Sequence, residues 1–279
     1  MTLKIKWIIE DFHADNGLGP LIEAVRSSGQ TVDPVTYVPF RAGKYPQWSD
    51  DEKILFIGSI NLAQQLWDER PRWRRGIWSN FPNYNCTVYL PQIGEYCLNG
   101  DHLLIPFNEI WERRWELMPF TRDACVFIRP NAGVKEFTGA VVDMLHLESQ
   151  LKSWESNTTT DSLAVISSPK KIKAEWRNIV VNHNDHRAVV ASSLSVLDGN
   201  KTYVPGAPKR VVELAEHVLS ILTPPDPMFA IDVAQLADDT YKVVEMNAFS
   251  SCGLYSCPKY PIVKVATEVA VDLWSDKVT

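Results

Sequence analysis

Phe229-Ala230-Ile231-Asp232-Val233-Ala234, followed by Val243-Val244-Glu245-Met246-Asn247, is the stretch on which the reading of the fold turns. Along an extended chain successive side chains point to opposite faces, so residues two apart share one. Glu245 and Asn247 therefore share a face, and Val244 and Met246 turn toward apolar packing. Asp238-Asp239 reads as a turn, which pairs Met228–Gln235 with Thr240–Asn247 as a hairpin and puts Asp232 in the partner strand. With the two strands paired, three oxygen-bearing side chains converge on one sheet face. Magnesium takes such hard oxygen ligands, a few carboxylates alongside phosphate oxygens. A half-solvated hairpin with a polar outer face shows the same alternation, and from pattern alone the two readings carry equal weight.

Working outward, two more stretches carry chemistry. Cys125-Val126-Phe127-Ile128-Arg129 is a strand closed by Pro130, and Asn131-Ala132-Gly133-Val134-Lys135 is a turn-rich loop beyond it. A cation at a strand end beside small residues suits a phosphate, which arginine grips with two parallel hydrogen bonds. Taken alone, Arg129 and Lys135 fit ordinary surface cations better. In Glu175-Trp176-Arg177 the two charged residues share a strand face that Ile179 and Val181 continue as apolar. That is the pattern of a partly buried site, or equally of a cross-strand ion pair at a sheet edge.

The rest of the chain supplies the frame. Lys4–Ile9, Val32–Val38 and Lys53–Ile57 read as strands, with helices ending near Ser28-Gly29 and starting near Ile60, which is a small α/β unit with a largely parallel sheet. The Trp-, Pro- and Asn-rich middle, Arg70 to Gly100, is irregular, with two short helices expected. Trp111, Arg114 and Trp115 at helical spacing predict a helix over Phe107–Leu117. Further strands are expected at Gly139–Asp143 and Ser162–Ile166, with a helix at Leu145–Ser156 between them. A long hairpin turns at His183-Asn184-Asp185-His186, and helices cover Pro208–Leu222 and Ile262–Trp274. The domain division is placed at residues 1–118 and 119–279.

Composition narrows the classes. Hydrophobic residues make up 45% and charged residues 22% of 279, enough for a sizeable core. A net charge of −6 argues against a nucleic-acid partner, which calls for a basic stripe. No apolar run reaches the roughly 20 residues of a membrane span, so a cytoplasmic protein with no membrane partner is expected. Five cysteines without a C-x-x-C pair give neither a disulfide framework nor a zinc site. There is no Walker A loop, and Gly17-Leu18-Gly19 lacks the third glycine of a dinucleotide fingerprint.

In order along the chain, these pieces resemble the ATP-grasp superfamily, and within it the clade named for two arginines and one lysine in its nucleotide site. The resemblance runs from Arg122 to Trp274. It implies a small N-terminal α/β domain followed by an ATP-grasp fold of two α+β lobes. It implies ATP and Mg2+ as cofactors, with Asp232, Glu245 and Asn247 on the metal. Arg129, Lys135, Glu175 and Arg177 would lie against the nucleotide, with Arg129 and Arg177 also catalytic, and Val165, Ile166 and Ser167 would cup the adenine. The activity implied is that of an ATP-dependent carboxylate–amine (or thiol) ligase working through an acyl phosphate. The partners implied are a small-molecule or peptide carboxylate and an amine acceptor. A phosphotransferase on the same site and a non-catalytic ATP-binding protein are the alternatives. Trp73–Asn85, His183–His186 and Ser250–Tyr255 are the loops expected to meet substrate. Oligomeric state is left open, a homodimer included.

Overall fold

The structure, a computed structural model, describes residues 3–10, 18–36 and 48–275. Its three sheets differ in how much of each face is covered. In the first, β1 (Lys6–Glu10) lies between β2 (Thr31–Val35) and β3 (Ile54–Ile57), all parallel. Parallel strands need crossovers and cover on both faces, and β3 is accordingly apolar and buried throughout, as are Trp7, Ile8 and Ile9 at the centre of β1. Helix α1 (Leu18–Ser27) makes the first crossover, and α2 (Ile60–Glu69) starts where the Ser59 hydroxyl accepts from the Leu62 N–H. The end of the strand expected at Val32–Val38 and the Gly17-Leu18-Gly19 turn reach outside the described residues.

The second sheet is antiparallel, in the order β4 (His102–Pro106), β7 (Leu163–Ser167), β5 (Cys125–Pro130), β6 (Ala140–Asp143). Helix α4 (Leu147–Trp154) closes one face over Val126, Ile128, Ala164 and Ile166. β4 precedes residue 119 yet pairs with β7, so the division expected at 118/119 runs through this sheet.

The third sheet is antiparallel, in the order β10 (Asn200–Pro205), β9 (His186–Leu197), β8 (Ile172–His183), β11 (Met228–Leu236), β12 (Tyr241–Ala248). Its β8–β9 hairpin turns at Asn184, which takes a φ of 51°, a conformation asparagine tolerates. One face is sealed by α5 (Lys209–Ile221) over Val180, Phe229, Ile231 and Val233. On the other, α6 (Lys259–Ser275) covers Ile179, Val181, Met228 and Ala230 and also packs on β1 and α1, joining the first sheet to the third. Among the described residues no helix is long and apolar enough to cross a membrane.

Two expectations are corrected. The helix at Phe107–Leu117 is instead a pair of 3-10 turns, Phe107–Glu109 and Arg114–Phe120. The aromatic spacing that suggested it serves the surface: the Arg114 guanidinium lies over both Trp111 and Trp115, and Trp115 is 70% exposed. The middle segment holds more turns than two short helices. It has 3-10 turns at Pro71–Gly76, Phe81–Tyr84 and Gly94–Tyr96 around α3 (Cys86–Ile93). Trp73 and Trp78 there are fully buried, so this segment is core.

Candidate active site

The unsealed face of the third sheet changes character along its strands. On β8, Ile179 and Val181 lie in the core under α6, and Arg177 and Glu175 continue the same face beyond the helix. On β11, Met228 and Ala230 are under α6 and Asp232 follows. The register then aligns the charges. Ser193 of β9 pairs with Arg177, Arg177 with Asp232, and Asp232 with Glu245 of β12. A row crosses four strands, and every member is fixed by pairing.

A bulge completes it. Val233 pairs with Val243 while Asp232 pairs with Glu245, which leaves Val244 as the extra residue. The buried neighbours of Glu245 are therefore Val243 and Met246, not Val244 and Met246 as strict alternation predicts. The displaced Val244 carbonyl accepts from Arg129 Nη1 at 3.3 Å.

Asp232 is held from two sides. Arg177 donates to it through Nε at 2.9 Å and Nη2 at 2.6 Å, a bidentate pair buried on both partners. The Asn247 amide donates to Asp232 at 3.0 Å and to Glu245 at 3.1 Å. Glu245 also accepts from Arg129 at 3.0 Å and from Lys135 at 2.7 Å. Burial raises the Glu245 pKa, but Lys135 and Arg129 outweigh it and hold the carboxyl down to about 2. Glu175 goes the other way. Burial, then Asp232 and Glu245, push its carboxyl up to about 8. Two cations thus reach Glu245 from the second sheet and its loop, and a third sits beside Asp232. Arg129 and Lys135 can neutralise phosphate oxygens once these take the place of Glu245.

The loop that brings Lys135 is built for the approach. Gly133 leaves no room for a side chain, since a Cβ there would stand 2.6 Å from the Phe81 carbonyl oxygen. Its N–H donates to Asn85 Oδ1 at 3.0 Å, and Lys135 takes a φ of 56°.

A family model matches residues 72–274: an ATP-grasp domain, the third family of the clade named for its two arginines and one lysine. The chain belongs to that ATP-grasp family. The match starts well before Arg122, so the family's domain takes in the aromatic middle and β4. No curated protein sequence matches the chain. Among solved structures, D-cycloserine synthetase DcsG aligns with a TM-score of 0.63 at 12% identity, over 97% of this chain and 100% of that one. D-alanyl-alanine synthetase A from Vibrio cholerae O1 biovar eltor aligns with a TM-score of 0.58 at 10% identity, over 99% and 98%. A RimK domain ATP-grasp protein from Sphaerobacter thermophilus gives 0.55 at 14% identity, over 96% and 98%. At such identities these likenesses speak for the fold.

In this ATP-grasp domain the donor set fits magnesium. Among the described residues no group of three His, Cys, Asp or Glu side chains could hold a metal. The set here is two carboxylates and an amide within hydrogen-bond reach of one another, all oxygen chemistry once the Asn247 amide turns its oxygen inward. The structure brings together Arg129, Lys135, Glu175, Arg177, Asp232, Glu245 and Asn247. The three adenine residues separate. Val165 joins the core that continues under the third sheet, and Ile166 points into the core of the second. The Ser167 hydroxyl donates to Asn99 Oδ1 at 2.9 Å in a buried pair. The sequence marks Ser250–Tyr255 as a loop without singling out two of its members. The Tyr255 ring lies 4.6 Å from the Arg177 guanidinium, and the Gly253 carbonyl accepts from Arg177 at 2.8 Å. Their signal was only a small-residue loop following Asn247.

Proposed function

We propose that this chain is an ATP-dependent ligase that activates a carboxylate as an acyl phosphate and passes the acyl group to an amine or, less readily, a thiol. The observation that carries the reading is the in-register row Arg177–Asp232–Glu245, capped at its β12 end by Arg129 and Lys135. Several relatives in fold are named as ligases or synthetases. One macrocyclase, from Microcystis aeruginosa, is bound with a precursor peptide, at a TM-score of 0.52 and 15% identity over 96% of this chain. A small-molecule or peptide carboxylate is the substrate class we adopt.

Asp232, Glu245 and Asn247 would hold magnesium, which would supply positive charge against the phosphates. Arg129 and Lys135, which Glu245 neutralises in the free site, release it and bind the phosphates instead. Arg177 stays locked on Asp232 and presents its remaining charge to the transferring phosphoryl group. The carboxylate oxygen attacks the γ-phosphorus, the bond to the β-phosphate oxygen breaks, and ADP leaves. The amine then attacks the acyl carbon, loses a proton, and expels phosphate. The anchored loop carrying Lys135 covers the acyl phosphate and keeps water from it.

The test is ADP release with carboxylates in the presence of hydroxylamine, which captures an acyl phosphate as a hydroxamate. Hydroxamate formed in proportion to ADP is the expected result. A stable phosphorylated product with no hydroxamate would make the protein a phosphotransferase.

A further inference from the structure

The row of charged residues has a nucleotide end and a far end. Arg129 and Lys135 reach it only at Glu245, on β12. In-line displacement needs the acceptor opposite the leaving group. On the reading above, ADP departs toward β12, so the carboxylate substrate approaches from the side of β8, β9 and β10. What stands there is aromatic. Tyr255 lies on Arg177, and Tyr203 of the edge strand β10 stacks on Tyr255, with centroids 4.9 Å apart and planes 9° from parallel. Below them, Ser193 continues the row and accepts from the Ser256 N–H at 3.2 Å.

This arrangement is held against strain. Tyr255 has a φ of 43°, a conformation that a bulky residue adopts only when its surroundings enforce it. The enforcing group is Lys259. Its buried ammonium donates to the carbonyls of Tyr255 at 2.6 Å, Cys257 at 2.8 Å and Leu254 at 3.4 Å. Gly253 keeps the space clear, since a Cβ there would come within 3.3 Å of the Tyr255 ring and 3.7 Å of Arg177. The outer ring, Tyr203, stays 43% exposed beside a site whose other members are mostly buried.

We propose that Tyr255 and Tyr203 form the shelf for the non-reacting body of the carboxylate substrate, and that the shelf selects an aromatic group next to the carboxylate. This rests on the ligase reading. A parallel ring pair offers a flat face on which a third ring stacks at an offset. The Arg177 guanidinium lies against Tyr255, so the shelf borders the cation assigned to the transferring phosphoryl group.

The test uses the whole chain with Mg2+, ATP and hydroxylamine, and compares L-phenylalanine, L-tyrosine and L-tryptophan with L-alanine, L-glutamate and L-lysine as carboxylates. The wild type should favour the aromatic members. Tyr203→Ala should raise their KM roughly tenfold at nearly constant kcat, and Tyr203→Phe should restore it. A structural role alone would lower kcat for every carboxylate alike and lower Tm. Aromatic members no better than L-alanine, no turnover of any aromatic member, or an unchanged KM in Tyr203→Ala overturns the shelf. Calorimetry with Mg2+ and AMPPNP separates the two readings. Nucleotide binding without aromatic preference defeats only the shelf, whereas absent binding defeats the ligase assignment beneath it.

Discussion

One face of the five-stranded sheet carries two regions built on the same strands with opposite physics. Under α6, β8 and β11 present Ile179, Val181, Met228 and Ala230, all fully buried and apolar. A few residues along, the same pleat presents Glu175, Arg177, Asp232 and Glu245. The first region holds the fold together because its burial removes apolar area from water. The second concentrates charge where water is partly excluded, and it stays stable because Asp232 and Glu245 pair with Arg177, Arg129 and Lys135 while Glu175 holds its proton. Strand register is thus the single device that aligns both the core and the site, and the two regions should fail differently when broken.

The largest effect is expected where they meet. Asp232→Ala strands the buried Arg177 guanidinium, and breaking such a pair costs about 3–5 kcal/mol. Denaturation should show that loss together with loss of Mg-nucleotide binding. Ile179→Ala, on the apolar side, should cost about 3 kcal/mol of stability, with nucleotide affinity unchanged by calorimetry below the melting transition. A drop in affinity as large as that of a site variant would mean the regions are not separable. Lys135 is partly exposed and its ammonium pairs with Glu245, so Lys135→Ala should leave Tm within about a degree or two and weaken Mg-nucleotide binding roughly tenfold.

The smallest effect concerns pH. Glu175 titrates near 8 in the fold and at 4.5 when exposed. Between those values the native state holds the extra proton. The stability this residue contributes is therefore full below 4.5, falls as pH rises, and is gone above about 8. Glu175→Gln should flatten that decline in a chemical-denaturation series across the window. An unchanged slope would show that Glu175 ionises normally in the folded chain.

The contrast also explains what was legible in the sequence. Periodicity reveals faces, so Asp232, Glu245, Asn247, Glu175 and Arg177 could be read from alternation within their own strands, and the family resemblance ordered them. It does not reveal which strands become neighbours. That β8 lies beside β11, locking Arg177 onto Asp232, is set by long-range pairing. Local irregularity was equally silent. The bulge at Val244 has no glycine to mark it, and Tyr255 holds a positive φ because Lys259 enforces it from outside. Strands β4 and β10 escaped notice for a simpler reason. Each is short and ends in proline, and β10 sits at a sheet edge where polar residues such as Asn200 and Lys201 break the alternation.

The central claim is that the charged end of this face is a Mg-nucleotide site. Calorimetric titration of the wild type and of Glu245→Gln with AMPPNP and Mg2+ tests it most directly. The wild type should bind saturably, and Glu245→Gln should bind roughly a hundredfold more weakly while keeping its fold by circular dichroism. Equal binding by both proteins would contradict the account.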